Sequence, residues 1–196
     1  MADAGRVISG LARGVRLAAP GPGTRPLTDR VKQTLFGILE PELEGAAVLD
    51  LFAGSGAGGI EALSRGAASA MFVDKDGGAT RAIAENLRRT KLEGEGRVVR
   101  RDALAWVADA ASAPDRWDVV LVDPPYADTD ALVRVLEAVG ALVRPGGVVV
   151  AKHFWRDAPP AAIGLLASER ERRFGETALT FYRREGGDVE QEAGER

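Results

Sequence analysis

The chain has 196 residues, a formal net charge of −3 and no cysteine, which excludes disulfides, thiolate metal sites and cysteine nucleophiles. A single histidine rules out a multi-histidine metal centre, and 45% hydrophobic with 28% charged residues fits one soluble globular domain. No apolar run approaches the ~20 residues that span a bilayer and "MADAGRVISG" has no signal-peptide core, so a cytoplasmic, monomeric protein is expected, without membrane or metal.

Residues 5–26 alternate short apolar stretches with Gly, Pro and Arg, predicting a β-hairpin and a loop, "APGPGTRP". Arg6, Arg13, Arg16, Arg25, Arg30 and Lys32 face only Asp3 and Asp29 in residues 1–32. That local excess can steer a polyanion although the whole chain is acidic; the plainer reading is a solvated arginine-rich surface. "TDRVKQTLFGILE" follows as a helix with Thr28 as N-cap and Pro41 marking its end. From residue 46, the strand candidates "AAVLDLF", "ASAMFVD", "GRVVRRD", "WDVVLVD" and "GGVVVAKHF" alternate with helices over 57–65, 79–92, 104–111 and 130–142. This is the pattern of an α/β parallel sheet covered on both faces. "SERERRFGETALTFYRR" then predicts an antiparallel edge hairpin. The expected organisation is an N-terminal extension over 1–26, a catalytic domain over 27–184 and an acidic, disordered tail over 185–196.

Ligands in open α/β sheets bind beyond the carboxyl ends of the strands. At the first exit, Gly54, Gly56 and Gly59 spell G-x-G-x-x-G before a helix, and Asp74 leaves the second strand 20 residues after Gly54. An acid there can accept both hydroxyls of a ribose. Asp50, just before the glycine turn, would repel a pyrophosphate and suit an ammonium instead. S-adenosylmethionine has the matching parts: an adenosine, no phosphate, an ammonium and a sulfonium. Asp102 and Ala103, at the third exit, suit the adenine amine and a ring acceptor; Asp102 reads equally as a helix N-cap.

The fourth exit is "DPPY", Asp123 to Tyr126. Asp123 is an acceptor, and Pro124 and Pro125 have no N–H. The Asp123 carboxylate and the Pro124 carbonyl would hold an exocyclic amine by its two hydrogens, with Tyr126 as a stacking face. The plain alternative, a strand stop with a packed tyrosine, leaves the acids at the neighbouring strand tips unexplained.

"DLFAGSGAGGIEALSRGA", "DPPY" and "TRPLTDRVKQTLF" together resemble the bacterial 16S rRNA guanine-N2 methyltransferases of the small ribosomal subunit, and "RVISGLARGVRL" and "GETALTFYRR" extend the likeness to about Arg184. The resemblance implies a class I Rossmann-like methyltransferase fold, with a mostly parallel seven-stranded sheet. It implies S-adenosylmethionine held by Asp50, Phe52, Ala53, Gly54, Ser55 and Gly56, by Asp74 with Lys75, by Asp102 and Ala103, and beside Asp123. It implies Asp123, Pro124 and Tyr126 as the catalytic group around the guanine amine, with Pro125 at the substrate. Arg25, Thr28 and Arg30 would close over cofactor and RNA, and the hairpin residues Arg6, Arg13 and Arg16 would contact phosphates of 16S rRNA.

Two departures stand out. Leu27 replaces a threonine of the family's "RPTTDR", and "VVVAKHFWR" replaces an acid after the fifth strand. Lys152, His153 and Trp155 are read as a snorkelling lysine and a packed edge rather than RNA contacts. The alternatives are an adenine-N6 methyltransferase, an NAD(P) oxidoreductase suggested by the glycines, and a non-catalytic RNA-binding module.

Overall fold

The computed structural model describes residues 3–21, 27–110, 116–125 and 128–186. An antiparallel hairpin, β1 (Asp3–Arg6) with β2 (Arg16–Ala18), precedes helix α1 (Asp29–Leu43). The alternating part follows as β3 (Ala47–Leu51), α2 (Ala57–Ser64), β4 (Ser69–Asp74), α3 (Gly77–Thr90), β5 (Gly96–Arg100), α4 (Ala103–Ala110), β6 (Trp117–Val122) and α5 (Thr129–Val139). A 3₁₀ turn (Gly140–Leu142) leads into β7 (Val143–Phe154), and β8 (Ala162–Ile163), β9 (Leu166–Phe174) and β10 (Thr177–Arg184) complete the chain's elements. The described residues contain no helix long and apolar enough to cross a membrane.

The sheet runs β5-β4-β3-β6-β7-β10-β9-β8. Strands β3 to β7 pair in parallel, and β10 enters antiparallel between β7 and β9. This is the Rossmann-like order of class I methyltransferases: seven strands, as expected, plus the two-residue β8, too short to leave a sequence pattern. The parallel strands are apolar almost throughout because helices cover both faces. Val48, Leu121, Val150 and Leu179 pack under α1, α2 and α3, while Leu49, Leu51, Val120 and Val149 pack under α4 and α5.

The end of the first helix differs from the sequence reading. Pro41 lies inside α1, which runs two residues further to Leu43. The proline forfeits one late hydrogen bond, while Leu39 and the terminal Leu43 are both buried in the core. Burial of the last turn outweighs the missing donor.

The hairpin is fastened to the core by buried polar side chains. The Glu61 carboxylate accepts from Ile8 N at 2.8 Å and Ser9 N at 3.0 Å, and Ser64 Oγ accepts from Ala12 N at 2.9 Å. Asn86 brackets Ala18, accepting its N–H at 2.7 Å and donating to its carbonyl at 2.9 Å. The tip turn therefore rests on Ser64 at the C-terminal end of α2, whereas Ala18 returns to α3. Eight residues of helix separate Ser64 from the glycine turn, about 12 Å at 1.5 Å per residue.

Candidate active site

The strand tips open onto one cavity of about 560 Å³, within the ~300–1,000 Å³ of small-molecule sites. Asp50 is its deepest acid. It precedes the last residue of β3, is 4% exposed and accepts the Gly59 N–H at 2.8 Å. Burial pushes its pKa up to about 8; the Gly59 bond opposes that, and the charges of Asp123 and Asp74 add to it. After β3, Phe52 adopts φ 57, a left-handed backbone rare for a bulky residue. Gly56, with φ 75, caps the start of α2. Phe52, Ala53, Gly54 and Ser55 line the cavity. Gly56 does not; its open side faces Ile83 and Phe72.

Asp74 lines the cavity and anchors two loops, accepting from Gly54 N at 2.8 Å and Asp76 N at 2.9 Å. Each oxygen keeps a lone pair for a ligand hydroxyl. Lys75 lines the same wall. Asp102 is exposed and caps α4, its Oδ1 accepting from Ala105 N at 3.1 Å, a role that coexists with an acceptor role for Oδ2. Its neighbour Ala103 lines the cavity.

Asp123, Pro124 and Pro125 form the opposite end of the cavity. Asp123 N donates to Leu51 O at 3.3 Å, holding the exit of β6 against β3. Pro125 O accepts from Asp128 N at 2.9 Å, while Pro124 O accepts from no described residue. Among the described residues the Pro124 carbonyl is thus left without a donor, one residue on from the Asp123 carboxylate. Tyr126 lies outside the described residues, as does Arg25.

Lys152 departs from its sequence reading. It does not snorkel outward: its Nζ donates to both Asp123 oxygens at 2.6 and 2.8 Å. Val122 pairs with Ala151 in the parallel ladder, so Asp123 and Lys152 are the next residues out on adjacent strands. Burial holds the Asp123 carboxyl above the usual range while the Lys152 ammonium pulls it down. His153 is the packed edge residue expected. Its Nδ1 lies 2.8 Å from Phe154 O and its Nε2 2.8 Å from Thr180 Oγ1; the carbonyl can only accept, so Nδ1 carries the proton.

The remaining substrate residues are scattered. Thr28 caps α1, accepting from Val31 N at 3.4 Å, beside the cavity-lining Leu27. Arg30 is exposed and outside the lining. Arg6 pairs with Asp29 at 3.0 Å and Arg16 with Asp3. Arg13 is exposed on the tip turn, far from the cavity end of α2. Among lining residues not singled out from sequence are Pro20, Leu35 and Asp128; their proximity depends on fold and register rather than spacing.

The cavity can thus hold a nucleoside at Asp74 and Ala103, a cation at Asp50, and an amine at Asp123 and Pro124. A pyrophosphate would meet Asp50, Asp74, Asp76 and Asp123 on the walls, which is repulsive. No cluster of metal-binding side chains occurs among the described residues.

Comparison with known proteins adds three findings. The family profile described as "Conserved hypothetical protein 95" matches residues 5–183. Ribosomal RNA small subunit methyltransferase D of Escherichia coli K12 is 37% identical over 185 residues, covering 92% of this chain and 90% of that protein. Among solved structures, yhhF of Escherichia coli superposes with a TM-score of 0.79 and 34% identity, covering 92% of this chain and 97% of its own. A hypothetical protein of Thermus thermophilus superposes with a TM-score of 0.77 and 38% identity, covering 90% and 97%.

Proposed function

The chain belongs to the conserved hypothetical protein 95 family, and from that premise we propose that it is an S-adenosylmethionine-dependent RNA methyltransferase acting on the N2 amine of a guanine in 16S rRNA of the small ribosomal subunit. The observation that carries the reading is the Asp123 carboxylate next to the Pro124 carbonyl, to which no described residue donates, in the same cavity as the buried Asp50. The name of the Escherichia coli relative supports ribosomal RNA as the substrate class. The cofactor fits the donor set: a buried acid lacking a cation, a ribose-type acid on β4, and no phosphate cradle.

When bound, S-adenosylmethionine supplies the electrophilic methyl. The protein's part is to hold and orient. Asp50 offers charge to the cofactor's ammonium, and Asp74 offers lone pairs to its ribose. At the substrate end, Asp123 and Pro124 O accept the two N–H groups of the amine. Each Asp123 oxygen already takes one bond from Lys152 and keeps a lone pair, so the amine binds without displacing the lysine. These acceptors add electron density to a nitrogen whose lone pair is otherwise drawn into the ring, and they favour its tetrahedral form. Once methylated, the nitrogen is acidic, and Asp123, raised by burial, is placed to take its proton. The target guanine has to leave its stack to reach the cavity.

The test is to incubate unmodified small subunits with the protein and labelled S-adenosylmethionine, then digest to nucleosides. N2-methylguanosine is expected. N6-methyladenosine alone would shift the substrate to adenine, and binding of NAD without S-adenosylmethionine would remove the methyltransferase reading.

A further inference from the structure

The cavity floor is a face of the sheet, and its rows do not stop at the cavity. Leu121 pairs with Val150, Val150 with Phe181 and Phe181 with Arg170. One step further out, Asp123 and Lys152 continue through Leu179 to Arg172. Residues paired across strands share a face, so Arg170 and Arg172 point to the side that carries the cavity. Three strand intervals of ~4.8 Å put Arg172 about 14 Å from Asp123.

Strand β9 is exposed at every position from Ser168 to Arg173, so no helix layer covers either face. At the same end of the sheet, Trp155 N donates to Glu176 O at 3.0 Å. The Arg173 guanidinium lies 3.5 Å and the Arg156 guanidinium 4.8 Å from the centre of the half-buried Trp155 ring. Among the described residues none of Arg156, Arg170, Arg172 and Arg173 has a carboxylate within ion-pair distance, whereas Arg6, Arg16, Arg65, Arg144 and Arg183 all do. Glu171 alternates to the opposite face, as does Arg173, which pairs with Ala178; Glu169 is engaged by Arg183 at 3.1 Å, and Glu176 and Asp157 lie at the turns. Charges on an edge strand also discourage edge-to-edge pairing, but that does not account for two guanidinium planes stacked on one indole.

We propose that Arg170 and Arg172 of β9 on the cavity face, and Arg173 stacked with Arg156 on Trp155 round the exposed β9 edge, form a single-stranded RNA track that leads from the target-base cavity across the antiparallel edge of the sheet and onto its reverse face. The proposal rests on the RNA methyltransferase reading and says where the strand flanking the target nucleotide lies. Unpaired arginines bind phosphates, and a Trp–Arg stack offers a base a flat face regardless of sequence.

The test uses fluorescein-labelled 20-nucleotide oligouridylate, which contains no base to methylate, titrated by anisotropy at several salt concentrations. Arg172→Gln/Arg173→Gln should weaken binding severalfold and make the slope of log K against log salt shallower by about 1.4, for two lost contacts at ~0.7 each. Trp155→Ala should weaken binding with a smaller change in slope. An unchanged slope in the double variant would overturn the track, and so would a change in oligomeric state at unchanged affinity, which would make the edge a contact between copies of the chain. Arg172 and Arg173 are exposed and Trp155 is half-buried, and calorimetry with S-adenosylmethionine checks the fold of each variant. Methyl transfer to small subunits by the wild type is read separately, so its absence refutes the RNA methyltransferase reading while the salt slope still decides the surface.

Discussion

Asp123 carries two burdens at the residue scale: it must accept from the substrate amine, and it must stay ionised although burial favours its protonated form. Asp123→Ala removes the acceptor, and the expected loss in single-turnover rate is at least about 2 kcal/mol, ~30-fold, with the S-adenosylmethionine affinity little changed. A near wild-type rate would refute the role. Lys152 serves the second burden. Lys152→Met leaves the Asp123 carboxyl with burial and no ammonium, so its pKa rises further. Activity that needs the carboxylate is lost as pH falls through that pKa, so the acid limb of the rate profile should move to higher pH. Lys152→Arg should restore it, and a limb that stays in place in the Met variant would show that Lys152 does not set the charge of Asp123. This pair was not legible in the sequence, because it depends on the register of β6 against β7. The acids Asp50, Asp74 and Asp123 were legible, since each follows an apolar run that could only be a buried strand. Asp102 fitted two compatible roles in the sequence, and the Ala105 N–H on Oδ1 accounts for the cap.

The elements came through where their pattern was long. The parallel strands and the hairpin of β9 and β10 lie where apolar runs and the "FGET" turn put them, whereas β8 has two residues and no pattern to read. The glycine motif was legible as a turn but only partly as a cause. A Cβ on Gly59 would sit 2.4 Å from Phe72 Cε1, so this glycine lets α2 pack onto β4 and does not meet the ligand. The N-terminal hairpin was also expected, but not how it is held. Glu61 is fully buried and bonds Ile8 N, Ser9 N and, at 2.9 Å, Arg65 Nε. Glu61→Ala leaves two amides and the nearly buried Arg65 without their acceptor, an expected cost of about 3 kcal/mol. For a chain of this length that lowers Tm by roughly 10 °C, measurable by calorimetry. A shift under a few degrees would mean the hairpin docks through its apolar contacts alone.

At the scale of the whole molecule, the sheet gathers Asp50, Asp74 and Asp123 into one cavity, and that convergence sets how proton and cofactor compete. The folded pKa of Asp50 is about 8 against an ordinary 3.8, so between those values the folded state holds a proton that the unfolded state does not. Its contribution therefore lowers stability as pH rises from about 4 to about 8, by up to ~1.4 kcal/mol per unit. A bound cation reverses the balance by favouring the carboxylate. S-adenosylmethionine should bind more tightly as pH rises toward 8, approaching tenfold per unit, and should release up to one proton near pH 7 and none well above 8. Calorimetry at pH 7 in phosphate and in Tris measures this, because the apparent enthalpies differ by the protons released times the difference in buffer ionisation enthalpy. S-adenosylhomocysteine keeps the ammonium and lacks the sulfonium. Equal proton release by the two ligands places Asp50 at the amino-acid end, as the cavity suggests. Release by S-adenosylmethionine alone would assign it to the sulfonium, and equal enthalpies in both buffers would mean that Asp50 is not the acid that meets the cofactor's charge.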